Sequence, residues 1–163
     1  MQITRASDYA VRVVIHLAGL PVGSTVRRSE LARVGDVPEH FLSKVLQRLV
    51  HSGMVRSQRG AGGGFSLAVP AAKISMLDVV QAIEGPIRMN QCLIEGPSCE
   101  RKAWCPAHQV WAETQDAVLK ILGAASMEQL AAQATPGSTF AYRNHEKAIT
   151  ISGVSGTGRR TPG

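Results

Sequence analysis

The sequence predicts a mainly α-helical chain with one small β element and a long helix late in its course. Three observations carry this. Apolar residues recur at three- and four-residue spacing in three short stretches before residue 53, two strand-like runs flank a glycine-rich segment at 60–64, and a sustained helical pattern returns at 106–122. The chain has 163 residues, 44% of them hydrophobic and 18% charged. That is enough chain to bury a core without staples, and too apolar for disorder. No apolar run approaches the ~20 residues of a membrane span.

In the first stretch Ala6, Tyr9, Ala10, Val13, Val14 and Leu17 share one side, which predicts a helix over 6–19 with Ser7 or Asp8 at its start. Gly19, Pro21 and Gly23 end it. A short second helix is expected at 29–34, and Gly35-Asp36-Val37 turns the chain into a third helix beginning at Pro38, a residue suited to the first helical position. There Phe41, Leu42, Val45, Leu46 and Leu49 are assigned inward, and Glu39, His40, Ser43, Lys44, Gln47, Arg48 and His51 outward. Gly53 caps the end.

The runs 54–59 and 65–69 around Gly60-Ala61-Gly62-Gly63-Gly64 read as a β-hairpin. A nucleotide-binding loop would instead need a following helix and a Lys-Ser or Lys-Thr pair, and here Phe65-Ser66-Leu67 continues as a strand. Three helices and a hairpin make a winged helix-turn-helix head, whose third helix enters the major groove of DNA while the wing approaches the backbone. The candidate DNA contacts are therefore His40, Ser43, Lys44 and Gln47 on the reading helix, with Arg59 and Gly60 on the wing. A solvated helix face and a plain hairpin would look alike in isolation.

Ser75-Met76-Leu77-Asp78 has the form of a capping box and opens a helix to about Glu84, ended by Gly85-Pro86. Residues 87–106 form a loop. The helix that follows, from Pro106 to about Leu122 with Val110, Trp111, Val118, Leu119 and Leu122 among its apolar positions, is longer than the head needs and reads as a dimerisation helix. A short helix at 126–133 precedes a Gly-, Ser- and Thr-rich tail expected to be flexible. The resulting division is 1–73, DNA-binding head; 74–134, loop and dimerisation helix; 135–163, flexible tail.

Charge follows this division. Residues 1–70 hold nine Lys and Arg against four Asp and Glu, whereas residues 71–134 hold five against seven. A positive field confined to the head suits a polyanion such as double-stranded DNA. The first residues carry no apolar run behind a basic start, so the expected location is cytoplasmic, away from membranes.

The chain has three cysteines, spaced Cys92-x(6)-Cys99-x(5)-Cys105 and followed by Pro106-Ala107-His108. An odd number in a reducing compartment argues against a disulfide framework and for a metal. Three thiolates within 14 residues can converge on one soft centre, with His108 able to join them. Zinc sites favour tighter cysteine pairs, so the wide gaps point to an iron-sulfur cluster, with zinc as the competing ligand.

The segments Ile3-Thr4-Arg5-Ala6-Ser7-Asp8-Tyr9-Ala10-Val11-Arg12, Arg59-Gly60-Ala61-Gly62-Gly63-Gly64-Phe65 and Leu77-Asp78-Val79-Val80-Gln81-Ala82-Ile83-Glu84, with the three-cysteine loop, together resemble the Rrf-two family of bacterial winged-helix regulators over about residues 1–134. The resemblance implies a homodimer that binds palindromic promoter DNA and carries one iron-sulfur cluster per subunit, 2Fe-2S or 4Fe-4S, whose state alters DNA binding. It also implies two choices for the fourth ligand. IscR-like members use a histidine three residues after the last cysteine, matched by His108. NsrR-like members use an N-terminal aspartate from the partner subunit, matched by Asp8. His108 is favoured, because a nitrogen so close in sequence needs no second chain.

The expected function is thus a transcriptional regulator, a repressor or redox sensor, reading iron-sulfur, redox or nitric oxide status. The alternatives are a zinc-bound or metal-free thiol regulator of the same fold, or an iron-sulfur electron-transfer protein. The sequence contains no evident Ser-His-Asp set, paired carboxylates or cofactor fingerprint, so it is not read as an enzyme.

Overall fold

The computed structural model describes residues 3–60, 62–94 and 99–134. Six helices, α1 (Arg5–Ala18), α2 (Arg28–Gly35), α3 (Glu39–His51), α4 (Met76–Glu84), α5 (Pro106–Ala124) and α6 (Met127–Gln133), accompany an antiparallel hairpin of β1 (Val55–Gln58) and β2 (Gly64–Leu67). The mainly helical winged head expected from the sequence is the one observed.

The helix starts explain several shifts from the sequence reading. Thr4, extended at φ −80° and ψ 165°, precedes α1, and Ser7 lies inside the helix, fully buried. Its hydroxyl donates to Glu84 Oε1 at 2.5 Å, across 77 residues of sequence. Pro38 stands just before α3 instead of occupying its first turn. Ser52 caps the end of α3, and Gly53 follows at φ +77°, a conformation that side-chain-bearing residues resist. Between α2 and α3 the turn depends on Asp36 at φ +51°, the left-handed region that a short polar side chain tolerates.

One apolar core binds the head to the later helices. From α1 come Ala10, Val13, Val14 and Leu17, from α3 Leu42, Val45, Leu46 and Leu49, from α4 Val79 and Ile83, and from α6 Met127. These side chains are all nearly or wholly out of water, the main source of stability in a chain without disulfides. The capping box that the sequence indicates at Ser75 is present, with Asp78 accepting from the Ser75 backbone N–H at 2.8 Å. Ser126 and Gln129 form a second box before α6.

The hairpin is anchored by a third strand position. Val26 donates to Phe65 O at 2.9 Å, and Phe65 donates to Val26 O at 2.8 Å, so the connection between α1 and α2 pairs with β2. Helix α5 differs from the rest: it packs on α4 and on a 3-10 turn at Gln91–Leu93, and none of its residues is buried. The expected flexible tail at 135–163 lies outside the described residues. Among the described residues, no helix is long and apolar enough to cross a membrane.

Candidate nucleic-acid interface and cysteine loop

The side of α3 turned away from the core carries His40, Ser43, Lys44 and Gln47, all exposed. Leu42, Val45, Leu46 and Leu49 fix this orientation by occupying the opposite side. Ser43 is held: its hydroxyl donates to Glu39 O and accepts from Arg28 Nη1, both at 3.3 Å. Arg28, which also lies 3.9 Å from the Glu39 carboxylate, thereby adds a cation from α2 beside the reading helix. The Arg27-Arg28 pair at the start of α2 was the available sequence signal for it.

Arg59 and Gly60 are exposed at the hairpin tip, where Gly60 adopts φ +108°. Thr25 Oγ1 donates to Gln58 Oε1 at 3.1 Å, a second tie between the base of the wing and the α1–α2 connection. Phe41 departs from its inward assignment. It is 46% exposed, with its ring 4.5 Å from that of His40 and 6.2 Å from that of Tyr9 between centroids. It sits one residue, a rotation of about 100°, from the buried Leu42, so it falls at the edge of the apolar stripe.

Behind α3, the C-terminal end of α4 joins three elements. Arg48 of α3 donates to Ile83 O, while Glu84 Oε1 accepts from Thr4 N at 3.1 Å, Thr4 Oγ1 at 2.6 Å and Ser7 Oγ. Partial burial pushes the Glu84 carboxyl up, but the hydrogen bonds from Ser7 and Thr4, with the nearby Arg48 charge, outweigh it and leave the pKa below the ordinary value. The loop holding the cysteines begins directly after this junction. Sequence spacing gave no sign of it, since its partners lie 35 to 80 residues apart.

Within that loop Cys92 is buried on the 3-10 turn that packs against α5. Cys99 is half-buried, and Cys105, also half-buried, precedes the first residue of α5. None of the three is in a disulfide. His108 N donates to Cys105 O at 3.0 Å, and His108 Nδ1, like His16 Nε2 on α1, is buried with no hydrogen-bond partner among the described residues. A buried imidazole nitrogen left unpaired is costly unless something else occupies its lone pair. Among the described residues no three His, Cys, Asp or Glu side chains gather around a common point. Asp8 is exposed on α1, 2.5 Å from the Arg12 guanidinium.

With this geometry in place, comparison with known proteins is decisive at the level of family. The Rrf2 family model, described as "Iron-dependent Transcriptional regulator", matches residues 3–133. The chain belongs to the Rrf2 family. An HTH-type transcriptional regulator of Mycobacterium tuberculosis is similar to this Rrf2 chain at 38% identity over 87 residues, 53% of the chain and 54% of that relative. The match thus spans about half the length of that protein. The HTH-type transcriptional regulator CymR of Bacillus subtilis is 28% identical over 87% of the chain and 97% of its own length. Its solved structure, titled as that of the global cysteine regulator, superposes with a TM-score of 0.69 at 26% identity, covering 83% of this chain and 99% of that one. IscR of T. potens shares the fold with a TM-score of 0.67 at 20% identity, over 83% and 90% of the two chains.

Proposed function

We propose that this Rrf2 chain is a homodimeric, DNA-binding transcriptional regulator whose affinity for promoter DNA is set by an iron-sulfur cluster on Cys92, Cys99, Cys105 and His108. The observation that carries the ligand assignment is the buried, unpartnered Nδ1 of His108 in the first turn of α5, three residues after the Cys105 thiol. Three thiols outside any disulfide and one imidazole form a donor set that suits iron and sulfide. Asp8, the alternative, is engaged through one carboxylate oxygen with Arg12. When bound, such a cluster supplies an iron centre that responds to oxidants or nitric oxide.

The chain's part is mechanical. The loop connects the end of α4, which holds α3 through Arg48, to the start of α5. Ligation of the loop fixes α5 against α4, and its release lets two heads joined through α5 reorient, so DNA affinity changes by linkage. Residues 1–73 act as the DNA-binding head and 74–134 as the sensing and dimerising part. His40, Ser43, Lys44, Gln47, Arg59 and Gly60 contact the duplex, and the chain works in the cytoplasm without catalysing a reaction.

Anaerobic purification with iron and sulfide analysis tests the proposal. Wild type and Asp8→Ala should be coloured and contain both elements, and His108→Ala should lose most of both. Loss in Asp8→Ala alone would name the aspartate as ligand. A colourless wild type carrying stoichiometric zinc, or no metal, would overturn the cluster and favour the thiol reading. That reading draws support from the likeness to CymR and from the separation of the donor side chains.

Dimerisation rests on α5, where Val110 and Ile121 are 62% and 68% exposed and stand, with Ala117, along one side of the helix. Ile121→Glu should raise the dimer dissociation constant about five- to thirtyfold, since an anchor in a buried interface contributes about 1–2 kcal/mol. Sedimentation of wild type and variant at matched concentrations reads this directly. An unchanged distribution would remove α5 from the interface.

A further inference from the structure

Phe41 is the one large apolar side chain exposed on the reading helix, and neither the core nor the proposed polar contacts use its outer surface. Two rings lie beside it: Tyr9 of α1 at 6.2 Å with rings inclined by 57°, and His40 at 4.5 Å with rings inclined by 46°. A ring so braced loses little further freedom when something covers it, and covering it removes apolar surface from water. Phe41 is the third residue of α3, and in helix-turn-helix heads the N-terminal residues of the reading helix meet the base edges. Lys44 follows one turn later on an adjacent line of the helix, placed to engage phosphate.

In the major groove the apolar feature of the bases is the 5-methyl group of thymine, and a phenyl ring is among the side chains that match it. A polar helix face could distinguish bases by hydrogen bonds alone, and it would not retain an aromatic ring in water. We infer that Phe41 is a specificity-determining residue that packs on a thymine 5-methyl group in each half-site, with Tyr9 and His40 as its lateral supports. This rests on the DNA-binding reading above and adds to it a residue and the chemical group it recognises.

The test uses the full-length protein and duplexes it enriches from a randomised double-stranded DNA library. Affinities are then compared between those duplexes and versions with every thymine replaced by deoxyuridine, which deletes the methyl group and keeps the hydrogen-bonding edge. Wild type should bind the deoxyuridine duplex about fourfold more weakly for each methyl group buried, and more than tenfold when both heads of a dimer engage. Phe41→Ala should bind the thymine duplex more weakly by a similar factor and should not distinguish the two duplexes. Phe41→Leu, which keeps an apolar side chain and provides a second variant should alanine disturb folding, should retain part of the discrimination.

Equal binding of both duplexes by wild type overturns the inference while leaving DNA binding intact. The same result follows if Phe41→Ala discriminates as strongly as wild type. If Phe41→Ala changes the sedimentation of the DNA-free protein instead, the ring covers a protein partner and the inference also falls. Failure of wild type to enrich or bind any duplex at low salt would reject the DNA-binding reading itself, and the inference with it.

Discussion

Gly64→Ala should lower the thermal unfolding midpoint by about 5–15 °C and weaken DNA binding through loss of the wing. A Cβ at position 64 would be driven into the Val26 carbonyl, with the Thr25 Cγ2 methyl only 2.9 Å away. Backbone is the obstacle, and it is not able to give way cheaply, because Val26 and Phe65 exchange two hydrogen bonds of 2.9 and 2.8 Å at that point. Overpacking of this kind costs about 1–3 kcal/mol, and a broken backbone pair adds about 1 kcal/mol. For a chain of this size each kcal/mol moves the midpoint by about 2–4 °C. Gly62→Ala is the matched control: its Cβ would meet nothing within 4 Å, and its φ is outside the left-handed region. Differential scanning calorimetry of the two variants checks the expectation. If Gly64→Ala melted with Gly62→Ala and wild type, the close approach of Val26 would not be a constraint on the fold.

The second large effect is expected at the junction behind the reading helix. Glu84→Gln keeps the size of the side chain and removes the charge that receives Thr4 N, Thr4 Oγ1 and Ser7 Oγ. Hydrogen bonds to charged groups contribute more than neutral ones, but Glu84 is exposed, so a loss of about 1 kcal/mol at neutral pH is expected. The pH dependence separates this from a mere packing change. The folded-state pKa of Glu84 lies below its unfolded value of 4.5. Between those two values the unfolded chain binds more protons, so the contribution is fully present above about pH 4.5 and disappears as pH falls through the folded value. Wild type should therefore lose stability over that acidic window, and Glu84→Gln should show a shallower loss there. Parallel denaturant titrations from pH 6 to 3 would read the slopes, and identical slopes would sink the assignment. Arg48→Ala is expected to act at the same place by leaving Ile83 O without its guanidinium donor.

Particular residues show why the sequence was legible in some places and silent in others. The helices of the head could be read because Ala10, Val13, Val14 and Leu17, then Leu42, Val45, Leu46 and Leu49, repeat at the helical period, and burial enforces that period. The boxes at Ser75–Asp78 and Ser126–Gln129 are local, closed within three residues of chain, though the sequence reading identified only the first. Phe41 departs from the inward assignment because residue type says apolar while its position on the helix places it at the edge of the stripe, where Tyr9 of α1 covers it only in part. By type, Ser7 suits a cap at the start of α1. Its hydroxyl instead serves Glu84, a partner 77 residues away.

By itself the sequence determined the order of the elements, the basic head, the three-cysteine loop with His108 beyond it, and the family these imply. Those properties depend on spacing along the chain and on summed charge, which need no knowledge of distant neighbours. Only the tertiary structure decided that Gly64 is required by the backbone of Val26, that Glu84 secures the start of α1, that Phe41 stands in solvent beside His40, and that the Nδ1 of His108 is buried without a partner. Each of these is set by which segments come within a few ångströms of one another after folding, and one-dimensional periodicity carries no record of that distance.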